Sequence, residues 1–276
     1  MSFVKWILYS VAALAAPIFV RLYAIFHRIK KKATHKSIFP NDTLLASHRG
    51  LRDYPENTIA SVKAAIDEGF KIVEVDVKFT KDGYAVLSHD PSIDRVSNGH
   101  GLICMMTYND LLKYDFSGEQ LNQTSITSLM DILQFIKGKD VILNIDCAHK
   151  EFCKSSHMQT VAECIYQTNT ENQVYVEIKP SMLLYAIRYG RDITFEVTCC
   201  NINPIAKFAI IKQFSNYLAG VVILTHSMEK RIIKQAHAHG CKISYWTAKN
   251  INEVRYYMNE NYDIIGVDDV LPKEIS

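Results

Sequence analysis

The chain carries almost no excess of either charge: 31 Lys and Arg stand against 29 Asp and Glu, a net +2 at pH 7. Nothing in that balance calls for nucleic acid as a partner. The seven cysteines form no C-x-x-C pair, and an odd, scattered set argues against a complete disulfide framework. Cys199 and Cys200 are adjacent, which suits packing better than a bridge. No glycine-rich phosphate loop is present, which argues against a doubly wound open sheet. What the chain does have is core material. Of its 276 residues 48% are hydrophobic and 22% charged. That proportion suits one large domain rather than two small ones.

Short apolar, β-branched runs predict strands at 44–48, 72–79, 141–146, 173–179, 193–199, 221–225, 243–247 and 264–268. Helical patterns fall between them. Asn57 or Thr58 can cap the first, which stops at Gly69, and Thr127 or Ser128 can cap one that stops at Gly138. Further helices are expected at 156–167, 181–189, 204–216, 228–239 and 251–258. Alternating strands and helices imply a parallel sheet. Eight such units make this an α/β chain and predict a (β/α)8 TIM barrel with a short insertion, residues 91–128, after the second strand. In such a barrel chemistry sits at the C-terminal strand ends. His48, Glu74, Asp76, Asp146, Glu177, His226, Trp246, Thr247 and Asp268 all fall there.

The densest stretch runs from His48 to Asp90. Glu74 and Asp76 are two apart on one strand, so they share a face, while Val73, Val75 and Val77 take the other. Two carboxylates side by side repel unless a cation lies between them, and a hard cation such as Mg²⁺ or Ca²⁺ fits best. Asp82-Gly83 is a strong hairpin signal. If these two form the turn, Lys81 faces Tyr84 and Asp76 faces His89, so the histidine stands beside the acidic pair. A surface hairpin with a chance acidic pair is the plainer alternative.

The ordered set H-R-G, P-E-N-T, E-x-D, T-x-D-G and H-D, with D-R-V-S-N-G-H-G at 94–101, W-T-A-K-N at 246–250 and G-V-D-D-V-L-P at 266–272, resembles the glycerophosphodiester phosphodiesterases. The resemblance spans residues 44–272 and implies metal-dependent hydrolysis of a glycerophosphodiester to an alcohol and glycerol 3-phosphate. It implies that Asp146 joins Glu74 and Asp76 as third metal ligand and that Arg49 grips phosphate. His48 and His89 suit general acid–base work, because imidazole titrates near neutral pH. Trp246 is expected to pack against substrate, and Glu56 either orients His48 or is simply a helix-entry acid. One position departs from the pattern: Ala148 stands where relatives carry a phosphate-binding lysine. Lys150 or Lys179 can restore that charge, although Glu177-Ile178-Lys179 reads equally as an ion pair at the mouth. The membrane-bound animal branch acting on glycerophosphoinositol-like diesters is the nearest in pattern. A phospholipase D-like lipase acting on lysophospholipids or sphingomyelin, and a non-catalytic binding barrel, are the alternatives.

Before the barrel, Trp6 to Val20 is uncharged and apolar. Arg21 near the end of the run can snorkel, so residues 4–26 can span a membrane. A cleaved signal peptide is the rival reading. Arg28, Lys30, Lys31 and Lys32 follow, which favours a cytoplasmic-facing domain. The expected division is an anchor with basic flank at 1–32, a polar linker at 33–43 and the catalytic barrel at 44–276.

Overall fold

The computed structural model describes residues 38–118, 123–148, 154–190, 192–198, 220–224 and 230–275. Eight parallel strands close into a barrel: β1 (Leu44–Ser47), β2 (Ile72–Phe79), β4 (Ile142–Asp146), β5 (Val174–Ile178), β6 (Thr194–Thr198), β7 (Gly220–Leu224), β8 (Lys242–Ala248) and β9 (Ile264–Val267). Ala46 pairs with Ile72 and Leu44 with Ile264, so β1 joins both ends of the sheet. The short β3 (Ala85–Leu87) runs antiparallel along the upper half of β2 and lies outside the barrel count. Around the strands stand α1 (Ile59–Asp67), α2 (Tyr108–Leu111), α3 (Leu129–Ile136), α4 (Ser155–Thr168), α5 (Leu183–Tyr189), α6 (Lys230–Ala238) and α7 (Ile251–Asn259).

The period-2 alternation of β2 divides the labour. Val73, Val75 and Val77 pack outward into the main core with Leu133, Ile136, Leu143 and Val161. Glu74 and Asp76, only 3% and 2% exposed, fill the opposite face inside the barrel. Burying two carboxylates costs several kcal/mol unless they are compensated, so this face of β2 is built for something other than stability. The bottom of the barrel is closed by Ala46, Ile72, Tyr175, Val222 and Ile264, all fully buried. Phe39 completes that layer, its ring edge-on to Tyr175 at 5.2 Å. The end of the expected 33–43 linker is therefore part of the barrel. The insertion has its own small core of Val86, Ile93, Ile103, Leu111, Phe116 and Ile126.

Helix starts follow capping chemistry. Thr58 accepts from Ser61 N at the head of α1, and Ser128 from Asp131 N at the head of α3, each worth about 1 kcal/mol. The hairpin departs from the expected register. Val77 pairs with Leu87 and Phe79 with Ala85, so Asp76 lies opposite Ser88, not His89. The turn has three residues, Lys81 to Gly83. The Thr80 hydroxyl accepts from Tyr84 N at 2.9 Å and donates to Asp82 at 2.6 Å, and Gly83 takes the left-handed conformation at φ 86°. Two side-chain bonds from Thr80 thus shift the register by one and leave His89 beyond the strand end.

The expected N-terminal span and the 204–216 helix lie outside the described residues. Among the described residues, no helix is long and apolar enough to cross a membrane.

Candidate active site

Glu74, Asp76 and Asp146 come together as expected. Each offers a carboxylate oxygen, and these atoms lie within 4.8 Å of one another. Adjacent strands place them: Asp76 pairs in register with Asp146. Burial pushes the Glu74 carboxyl well above the usual carboxylate range, and the charges of Asp76 and Asp146 push it further. Three converging, mutually repelling oxygens in a low-dielectric mouth suit a hard divalent cation, so donor type and geometry fit the expected metal.

The first turn after β1 is bent to serve this cluster. Arg49 has φ 59° and Gly50 φ 82°. A Cβ on Gly50 would lie 2.4 Å from Ser61 Oγ, so only glycine fits that crossing. The bend aims Arg49 N at Glu74 Oε2, 2.8 Å away, and sets Arg49 Nε 3.3 Å from Asp76 Oδ2. Asn57 is not the helix cap. With φ 59°, it donates from Nδ2 to Asp76 Oδ2 at 2.9 Å and accepts from Asp76 N at 2.8 Å. The P-E-N-T turn therefore latches the Asp76 carboxylate.

Both histidines have carboxylate partners that pairwise sequence reading missed. His48 Nδ1 lies 2.7 Å from Asp268 Oδ1, across 220 positions of sequence. His89 Nδ1 lies 2.7 Å from Asp90 Oδ1. An ionised carboxylate only accepts, so each Nδ1 carries a proton. His48 Nε2 is 4.0 Å from Glu74 Oε2. Glu56 does not orient His48: it takes both Nη groups of Arg95, at 2.9 and 2.7 Å, and stands 3.7 Å from Arg49 Nη1.

Below the three acids lies a second buried layer. Glu177 and Glu196 pair in register next to Asp146, and Glu196 is fully buried. Glu196 accepts from Asn144 Nδ2 at 3.1 Å and from Ser244 Oγ, with the Trp246 indole facing it. Trp246 sits inside the mouth, its ring 6.2 Å from that of His48. Gly266 makes room for it: a Cβ there would meet the indole at 1.9 Å. Burial pushes Glu196 up to about 7. The folded state thus holds a proton that the unfolded chain releases near the ordinary carboxylate value. Stability from this site is full below that value, falls as pH rises through the window, and levels off above about 7. Denaturant titrations of wild type and Glu196→Gln from pH 4.5 to 8.5 are expected to shift in favour of the variant with rising pH. The shift is on the order of 3 kcal/mol at most. Parallel pH curves would contradict it.

Lys150 lies outside the described residues. Lys179 is half-buried at the start of a short 3₁₀ turn, and Glu177 bonds Thr198 Oγ1 at 2.8 Å rather than pairing with Lys179. Lys78, buried on the same face of β2 as Glu74 and Asp76, was not foreseen. Continuing the Asp76–Asp146 register by two residues sets it level with Ala148.

The family model for the glycerophosphoryl diester phosphodiesterase family matches residues 48–189. A glycerophosphodiester phosphodiesterase of Caldanaerobacter subterraneus subsp. tengcongensis is 26% identical over 235 residues, covering 82% of this chain and 94% of that protein. The human protein glycerophosphodiester phosphodiesterase 1 is 42% identical, but over 76 residues, 27% of this chain and 23% of its own. Among solved structures, an Oleispira antarctica phosphodiesterase in complex with the product sn-glycerol-3-phosphate superposes with a TM-score of 0.74. It is 22% identical, over 87% of this chain and 98% of that one.

Proposed function

The chain belongs to the glycerophosphoryl diester phosphodiesterase family, and from that premise we propose that it hydrolyses glycerophosphodiesters to an alcohol and glycerol 3-phosphate with its metal-site acids, Arg49 and two histidines. The observation that carries this assignment of roles is the Glu74, Asp76 and Asp146 cluster with Arg49 and the Asp268-held His48 beside it, and with the Asp90-held His89 directly after Ser88, whose N–H bonds Asp76 O.

Glu74, Asp76 and Asp146 would hold a divalent cation, and such an ion would supply Lewis-acid polarisation of a phosphoryl oxygen. Arg49 adds a planar, permanently charged donor to the same phosphate. Its competing partners, Asp76 at 3.3 Å and Glu56 at 3.7 Å, are long contacts that leave the fork free to turn. Of the two histidines, one takes the proton from the attacking hydroxyl and the other protonates the departing alkoxide. The P–O bond to the nucleophile forms as that to the leaving oxygen breaks. The Nδ1–carboxylate contacts orient both rings: the base acts as the neutral Nδ1–H tautomer with a lone pair on Nε2, and the acid acts as the imidazolium, which gives up the second proton that it carries on Nε2. Trp246 lines the substrate side, and Lys179 and Lys150 are the residues in reserve for phosphate charge.

The finer reading is tethering by residues 4–26, with the domain on the cytoplasmic side and Mg²⁺ or Ca²⁺ as the ion. The animal branch acting on glycerophosphoinositol-like diesters fits the sequence motifs. Phe39 packs at the end of the barrel opposite the mouth. This reading ranks diesters in solution ahead of lysolipids as substrates. The test compares glycerophosphoinositol with a lysophospholipid, using full-length protein in detergent. Faster turnover of the soluble diester supports the reading. Preference for the lysolipid supports the lipase alternative.

A further inference from the structure

The D-R-V-S-N-G-H-G stretch brings one side chain into the site that the mechanism above does not use. Arg95 follows the hairpin, in a loop pinned by Ile93, whose N–H bonds Gly101 O at 3.0 Å and whose side chain is fully buried in the insertion core. Its guanidinium reaches back to two acids on separate loops. Nε donates to Asp90 Oδ2 at 2.6 Å, while Nη1 and Nη2 take Glu56 in a fork at 2.9 and 2.7 Å. Each acid uses its remaining capacity on a site residue. Asp90 holds His89 Nδ1 through its other oxygen, and Glu56 stands 3.7 Å from Arg49. We infer that Arg95 is a positioning residue that sets both the His89 tautomer and the freedom of Arg49 to bind phosphate; the inference rests on the roles just given to those two residues.

The physical case is geometric. Asp90 has two oxygens, and binding one to Arg95 stops the carboxylate from rotating off His89. The Asp90 carboxyl lies below its usual range, first because of the Arg95 bond, so it remains an acceptor. Without Arg95, Asp90 turns toward water and His89 samples its other tautomer, in which Nε2 carries the proton. Without Arg95, Glu56 also loses its two short bonds. Arg49 is then the nearest cation, so Glu56 closes on it and competes with the substrate phosphate. A lysine cannot replace this fork, because a point charge does not span three acceptors on two loops.

The test uses full-length Arg95→Gln and Arg95→Lys with two readouts. In ¹⁵N NMR of the His89 imidazole, wild type is expected to show the Nδ1–H tautomer, Arg95→Gln a mixture, and Arg95→Lys an intermediate share. In kinetics with glycerophosphoinositol, Arg95→Gln should lower kcat/KM about 10- to 100-fold, with KM raised as well as kcat lowered. In an Asp90→Asn background, Arg95→Gln should still raise KM but should lower kcat no further. Wild-type tautomer populations in Arg95→Gln overturn the proposal, as does a variant whose only change is a lower Tm. If Arg95→Gln does not fold, Arg95→Lys carries the same decision. Wild-type protein inactive on every diester would sink the proposed function, while the tautomer readout would still decide the role of Arg95.

Discussion

Replacing either His48 or His89 by alanine is expected to cut turnover of a glycerophosphodiester by about 10²–10⁴-fold, the usual worth of a positioned acid or base. Neither ring is in the buried core: their side chains are 26% and 37% exposed. The barrel should therefore fold unchanged, and far-UV circular dichroism should not distinguish the variants from wild type. The two losses should not be equivalent in pH. Removing one histidine deletes one limb of a bell-shaped profile and leaves the other. The carboxylate partners give a graded control. Asp268→Asn and Asp90→Asn keep shape but favour the wrong tautomer, so they should fall between wild type and the alanine variants. Equal trace activity in wild type and both alanine variants, with metal still bound, would mean a binding barrel instead of an enzyme.

The fold was legible because the strands are compact apolar runs, most of them β-branched, and several helices between them carry their own caps, as at Thr58, Ser128 and Asn250. All eight barrel strands answer to runs expected from the sequence, Ile72–Phe79 and Ile142–Asp146 among them. The hairpin register was not legible to the residue. Asp-Gly alone favours a two-residue turn, and the outcome turned on a third residue, Thr80, bonding across the loop. Local spacing revealed the acidic pair of Glu74 and Asp76 and the nearby histidines. It was blind to His48–Asp268, because no local rule joins residues 220 apart. Asn57 illustrates another limit. Its helix-entry position suggests a cap, but its left-handed backbone turns the amide toward Asp76 instead. Lys78 escaped notice because lysine on a strand reads as solvent-facing, whereas here the alternation of β2 carries it to the inner face.

Metal removal should produce the second large effect, and Glu74→Gln separates chemistry from stability. The amide keeps an oxygen for Arg49 N–H, which Glu74 now accepts at 2.8 Å, so the bent turn after β1 survives. It removes one of the three negative charges, and with it most of the affinity for a divalent cation. Lewis-acid stabilisation is worth several kcal/mol, so turnover should drop by about 10²–10⁴-fold. Treating wild type with EDTA should do the same, with recovery when Mg²⁺ or Ca²⁺ is restored. Stability should move the opposite way. Without a cation, Glu74 is buried beside two like charges, which is why its carboxyl titrates far above the usual range. The metal-free variant avoids that repulsion and should melt above metal-free wild type. Adding the cation should then raise the Tm of wild type, through preferential binding to the folded state, and leave the variant nearly unmoved. A variant that loses activity and also melts below metal-free wild type would point to simple misfolding. A wild-type enzyme indifferent to EDTA would remove the metal from the mechanism.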